Sequence, residues 1–157
     1  MRYLRQLVVL VVLSVVAVAF GLINLHTPAR AATNVIALAG PWQAALLWSG
    51  SGCGPMSGLV NFTLDKTGTD TKAILRTHGP LGPAPGPCGD NTSTETFQII
   101  TLNPNGSGTA GLTCGPGCGW VFTIQVDRDH KIFNMVDVAH ENPGNFVEGT
   151  AIRQGHD

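Results

Sequence analysis

Four cysteines, Cys53, Cys88, Cys114 and Cys118, carry the clearest chemistry in this chain. Thiols in such a set can close disulfides or hold a metal. A four-thiolate zinc site needs its ligands in two close pairs, typically with two residues between the members of each. Here three residues lie between Cys114 and Cys118, and Cys53 and Cys88 are far from each other. Disulfides are therefore the reading, with zinc as the alternative. Four cysteines allow three pairings. Cys114–Cys118 is favoured because Cys-Gly-Pro-Gly-Cys makes a hairpin tip whose flanking residues face each other within bridging distance. Cys53–Cys88 is then the second bridge, tying two loops together. Loop-closure entropy assigns roughly 4 kcal/mol to the longer bridge and about 2 kcal/mol to the shorter.

His78, His140, Glu141 and Asp137 are the residue types of an acid–base pair or a metal site. Nothing in their spacing holds them together: His140-Glu141 lacks a second histidine at helical spacing, and no serine or cysteine has a nucleophile's context. They read as solvated loop residues, so no catalytic residue, enzyme activity, cofactor or resident metal is expected. Asp127 and Asp129 bracket Arg128 without the further oxygen ligands of a calcium loop, and read as a turn. Asn61, Asn91 and Asn105 match glycosylation acceptors, which carry no meaning in a bacterial chain. Pro80, Pro83, Pro85 and Pro87 make a stiff surface loop ending at Cys88. Trp48 and Trp120 stand beside the cysteine-bearing segments, where an indole can line a pocket mouth. With His78 and His140 they are the candidate ligand-binding residues.

The elements that must position these residues are strands. Short alternating runs recur at 42–48, 59–65, 71–77, 94–102, 108–114, 120–126, 131–138 and 146–153. In the clearest, Trp120, Phe122, Ile124 and Val126 share one side and Val121, Thr123 and Gln125 the other. Asn134, Asp137 and Glu148 leave the sides of the last two runs open. Lys66-Thr67-Gly68-Thr69, Asn103-Pro104-Asn105-Gly106 and Asp127-Arg128-Asp129-His130 suit tight hairpins. The connections between these turns are irregular and carry the cysteines. Long and short connections thus alternate, so in an up-and-down meander all four cysteines gather at one end. The predicted fold is all-β, an eight-stranded antiparallel up-and-down barrel, since closure removes exposed edges. A β-sandwich is the alternative.

The 157 residues are 12% charged, about half the usual globular share, which excludes a charged disordered tail, a coiled coil and a basic nucleic-acid binder. Arg2 and Arg5 precede an apolar run over 7–25, and Ala29-Arg30-Ala31 offers small residues where a signal peptidase reads. Residues 1–31 are predicted to be a signal peptide cleaved after Ala31, with 32–157 as one domain. The absence of a twin arginine points to the general secretory route and a secreted or periplasmic product. An uncleaved anchor is the alternative, because the run is just long enough to span a bilayer. Cleavage would leave six Lys/Arg against ten Asp/Glu, a net charge of −4, which disfavours nucleic acid and anionic lipid as partners.

Gly40-Pro41-Trp42 opens the first predicted strand and Arg153 closes the last. This arrangement resembles the calycin superfamily of lipocalins, avidins and fatty-acid-binding proteins, in which a Gly-x-Trp on the first strand packs under a basic residue from near the barrel's end. The resemblance implies a barrel with Gly40, Trp42 and Arg153 in structural roles. Neither the lipocalin motif of the later strands nor the biotin pocket of avidins is present, so it implies architecture and no particular ligand. The chain is also similar to small exported bacterial proteins. The expected function is binding of a small, largely apolar ligand at the loop-rich end. The alternative is a filled barrel engaging an envelope or extracellular protein. A connected interior cavity separates the two.

Overall fold

Side chains that alternate between apolar and polar bury one face of each strand, and a single sheet can hide that face only by curling on itself. The computed structural model describes residues 34–49, 53–83, 88–115, 118–137 and 146–155. The expected export segment, His140 and Glu141 lie outside them. Eight strands run β1 Gly40–Ser49, β2 Met56–Leu64, β3 Thr69–His78, β4 Asn91–Leu102, β5 Ser107–Gly115, β6 Cys118–Val126, β7 Ile132–Asp137 and β8 Phe146–Arg153. Each pairs antiparallel with its sequence neighbours, and β8 returns to β1, closing the barrel. The up-and-down barrel is therefore the fold. No helix among the described residues is long and apolar enough to cross a membrane.

Three compact turns sit at one end, and their side chains explain where strands stop. Asp65 lies outside β2 because its Oδ1 accepts from the Thr67 hydroxyl at 2.7 Å, the Thr67 amide at 2.8 Å and the Thr69 amide at 3.0 Å. Asp127 does the same for the amides of Lys131 and Ile132, at 2.8 and 3.0 Å, which keeps Lys131 out of β7. These are side-chain turn caps; the one at Asp127 agrees with the turn read there, while Asp65 was expected to end the strand and instead caps the turn. Bulges between Asp70 and Ala73, Ile99 and Thr101, and Thr113 and Gly115 bend the strands around the cylinder.

Register decides the sides that alternation left open. Ala44 pairs with Ala151 and Trp48 with Val147, so Val147 and Ala151 face inward with Phe133 and Met135. Phe146, Ile152 and Val136 are thereby turned outward, each more than half exposed. Inside, Trp42, Phe62, Phe97 and Phe133 form one aromatic stack: Phe62 lies 4.2 Å from Phe97 and Trp42 4.9 Å from Phe133, centroid to centroid. A 3₁₀ turn, Val35–Leu38, crosses the compact-turn end and drives Leu38 into the core as its floor.

The seam between β1 and β8 has its own clamp. Trp42 and Arg153 face each other across it, with the guanidinium 5.8 Å from the indole centroid. Arg153 donates from Nη1 to the Ala37 carbonyl at 3.0 Å and from Nη2 to the Ala39 carbonyl. The Trp42 indole N–H donates to the Leu38 carbonyl at 2.8 Å. The clamp thus supplies donors to the carbonyls of a 3₁₀ turn too short to satisfy them itself. Gly40 has φ of +127°, and a Cβ there would meet the guanidinium at 3.2 Å. Only glycine accepts both conditions.

Two outcomes are expected. Arg153→Ala lowers urea-derived stability by about 2–4 kcal/mol, the worth of two charge-assisted hydrogen bonds and a cation–π contact, while Arg153→Lys, with one point of donation, recovers less than half. A loss under about 0.5 kcal/mol, the usual surface range, contradicts the clamp. Hydrogen bonding, first from the Thr67 hydroxyl, holds the Asp65 carboxyl below its ordinary value. A depressed folded value means its contribution to stability is present above the unfolded pKa and fades as pH falls through the folded one. Carboxyl NMR titration should therefore find an acid-shifted midpoint for Asp65 that rises in Thr67→Ala.

Candidate functional site

The irregular connections after β1, β3 and β5 all leave the barrel at the end opposite the compact turns, as antiparallel succession requires. Cys53 after β1 is bridged to Cys88 before β4, with 5.2 Å between Cα atoms, and Cys114 to Cys118 across the β5–β6 tip at 5.3 Å. The four sulfurs therefore stand at one rim, and the longer bridge ties two loops separated by a strand pair. Beside it Leu81 N–H donates to the Cys88 carbonyl at 3.2 Å and Asp90 N–H to the Gly82 carbonyl at 2.6 Å. The Pro-rich loop is thus fastened down where it meets the barrel.

Trp48, the last inward residue of β1, and Trp120, near the start of β6, come from strands on opposite walls. Their rings meet across the mouth with centroids 5.9 Å apart at 45°. Both are half-buried and pack on the core. The Trp48 indole packs over Gly58, where a Cβ would stand 2.8 Å from its Cζ3 and 3.2 Å from Leu75 Cδ1. The absent side chain is what gives the ring its bed. Together the two indoles form a partial roof over an interior that the Phe62–Phe97 stack already fills below.

His78 does not join them. It ends β3 on the face opposite the buried Ala73 and Leu75, and its Nδ1 donates to Asp90 at 2.7 Å, with both side chains well exposed. It lines a hollow of about 310 Å³ on the outer flank, with Leu47, Met56 and Pro80. The carboxylate beside His78 is thus Asp90, where sequence reasoning had looked to Asp137 and Glu141. Asp137 itself stands at the end of β7 opposite Phe122. His140 lies outside the described residues. Gly40, Trp42 and Arg153 meet at the far end of the barrel.

Sequence reasoning missed one residue, Glu95. It is 4% exposed and is the one charged side chain buried among the described residues. Ser93 donates its hydroxyl to Oε1 at 2.5 Å. The signal was present: Glu95 is in phase with Phe97 and Ile99, the inward face of β4. Glu95 is opposite Ala73, and Ser93 is opposite Leu75. From the other side, Phe97 pairs with Leu112 and Leu112 with Trp120. The carboxyl is therefore the next inward group beyond Phe97 on β4, flanked by β3 and β5.

A second apolar feature lies on the outside of β7, β8 and β1, where Ala45, Leu47, Val136, Glu148 and Thr150 line a groove of about 460 Å³. No protein-family model matches the chain, and no curated protein matches it. Function is accordingly argued from the mouth and this outer face.

If the longer bridge braces the mouth, Cys53→Ser with Cys88→Ser costs about 4 kcal/mol in reversible unfolding and Cys114→Ser with Cys118→Ser about 2 kcal/mol. Equal losses would mean that the loops are held by packing instead.

Proposed function

We infer that this is an exported, calycin-type barrel that binds a small, largely apolar ligand at its disulfide-braced mouth and has no catalytic role of its own. The observation that carries the reading is the convergence of Trp48 and Trp120, partly buried and 5.9 Å apart, over an otherwise packed interior. Indoles present large apolar faces at little entropic cost, and two of them at an angle make a cleft that grips a ring or a short chain. Because the aromatic stack occupies the lower half of the barrel, the ligand sits high, between the indoles and the loops. The Gly40, Trp42 and Arg153 clamp supports the calycin reading, and two disulfides suit an oxidising, extracytoplasmic setting.

The outer groove favours a second reading, a filled barrel that engages an envelope or extracellular protein through β7, β8 and β1. Leu47, Val136, Phe146 and Ile152 are each more than half exposed there, an arrangement that marks interaction surfaces when it is contiguous. The mouth is preferred because its two tryptophans converge on the core beside two disulfides, whereas the groove lies open on the outer wall.

A panel of neutral apolar compounds should quench or shift tryptophan fluorescence, and Trp120→Leu should weaken the best of them about tenfold, the loss of roughly one stacking face. Leu47→Glu should leave that response unchanged. Indifference across the panel, together with loss of an extracellular partner in Leu47→Glu, would transfer the function to the outer face.

A further inference from the structure

We propose that the outer groove takes a protein segment that presents an arginine among apolar side chains, with the guanidinium paired to Glu148. This inference rests on the outer-face reading and not on the mouth, and it adds the partner's charge. Register places Glu148 in the middle of the groove: it is opposite Leu47 of β1 on one side and Val136 of β7 on the other. Both apolar side chains are more than half exposed, as are Phe146 and Ile152 along β8. All share the outward face, since Val147 and Ala151 point into the core. Residues directly opposite on paired strands stand about 5 Å apart, so the carboxylate lies between two apolar side chains and faces solvent. Small residues make the space: Ala45 and Gly149 line the groove. Beside them the Thr150 hydroxyl donates to Asn134 at 2.9 Å and forms its polar end.

Charge selects among the occupants. In the outward positions of β7, β8 and β1, Glu148 is the one ionisable side chain, and among the described residues it has no ion-pair partner. A second copy docked by the same face about a twofold axis would bring carboxylate towards carboxylate and offer no cation to meet it. A small free cation would meet Glu148 but leave bare the apolar row from Phe146 to Ile152, about 20 Å long. A protein segment does both. Its arginine lays the methylene stem along Leu47 or Val136 and sends two parallel N–H donors to the carboxylate. A guanidinium suits the place because its fork matches a carboxylate and it is more weakly hydrated than an ammonium, so less is lost beside apolar groups. The barrel is closed, so these strands have no edge for the segment to extend, and recognition falls on side chains.

Three end-blocked pentapeptides, Leu-Thr-X-Thr-Leu with arginine, citrulline or glutamate as X, differ in the charge of one side chain, and citrulline keeps arginine's shape. Amide NMR titrations of the purified protein with each both locate and weigh the contact. The arginine peptide should shift the Leu47, Val136 and Glu148 amides and leave the indole N–H signals of Trp48 and Trp120 in place. It should bind about tenfold more tightly than the citrulline peptide, with the glutamate peptide weakest. In Glu148→Gln the arginine peptide's affinity should fall to that of the citrulline peptide, which itself stays unchanged, and added salt should narrow the same gap on the natural chain. Should the variant fail to fold by the dispersion of its spectrum, the order of the three peptides on the natural chain still decides. Equal binding of the arginine and citrulline peptides at these amides overturns the charge assignment and leaves the groove an apolar docking face. Concentration-dependent shifts of the same amides without peptide, and no preference for arginine, overturn it in favour of a second copy. No shift at these amides with any peptide overturns the outer-face reading itself.

Discussion

The pairing of β8 with β1 is the interaction on which the rest of this structure depends. An open eight-stranded sheet would leave two edges and an unsheltered apolar face; joining the first strand to the last removes both at once. The joint is made specific by the Trp42–Arg153 pair, which brings the 3₁₀ turn and its Leu38 under the core. Closure also sorts the chain by end. With eight antiparallel strands in sequence order, every odd-to-even connection leaves at the mouth and every even-to-odd connection at the floor. The cysteines share a rim because they all belong to the first group.

Closure sets the division of labour between those ends. Turns at the floor are short and satisfied by their own side chains, as Asp65 and Asp127 show, and the clamp seals what lies between them. The mouth has no such economy of length. Two of its connections are tied by disulfides, and its inward residues thin out from phenyl rings to Gly58, Ser93 and Glu95, with Trp48 packed over Gly58 and against Trp120. The filled lower half and the sparser upper half are consequences of one sequence gradient along the strands.

Much of this was legible in the residues. Period-two alternation and turn chemistry placed all eight strands, because both are local. The disulfide geometry followed from a hairpin tip and a remainder, and Gly40, Trp42 and Arg153 could be read as a set. The sides of β7 and β8 were not legible: each has apolar residues of both parities, and only register against β1, a contact over a hundred residues away, selects Val147 and Ala151 for the interior. The same holds for His78. Its partner Asp90 comes next beyond the Thr77–Asn91 pair of β3 with β4, a register set across a twelve-residue connection that no local spacing rule encodes.

Glu95 is a different kind of omission, since its parity with Phe97 was in plain view. Runs of alternating residues are read for what fits them, and a carboxylate on the apolar side is easily passed over as noise. Local and global preferences usually agree in a sequence that specifies one fold, so a conflict retained in the middle of a well-packed strand has a cost that something else must justify. Here an apolar residue at position 95 would have extended the core upward at no loss to the barrel. The chain instead places an acid there and gives it a serine donor two residues earlier on the same strand, so the departure from the pattern lies towards the cysteine-bearing end of β4 and not in the aromatic floor.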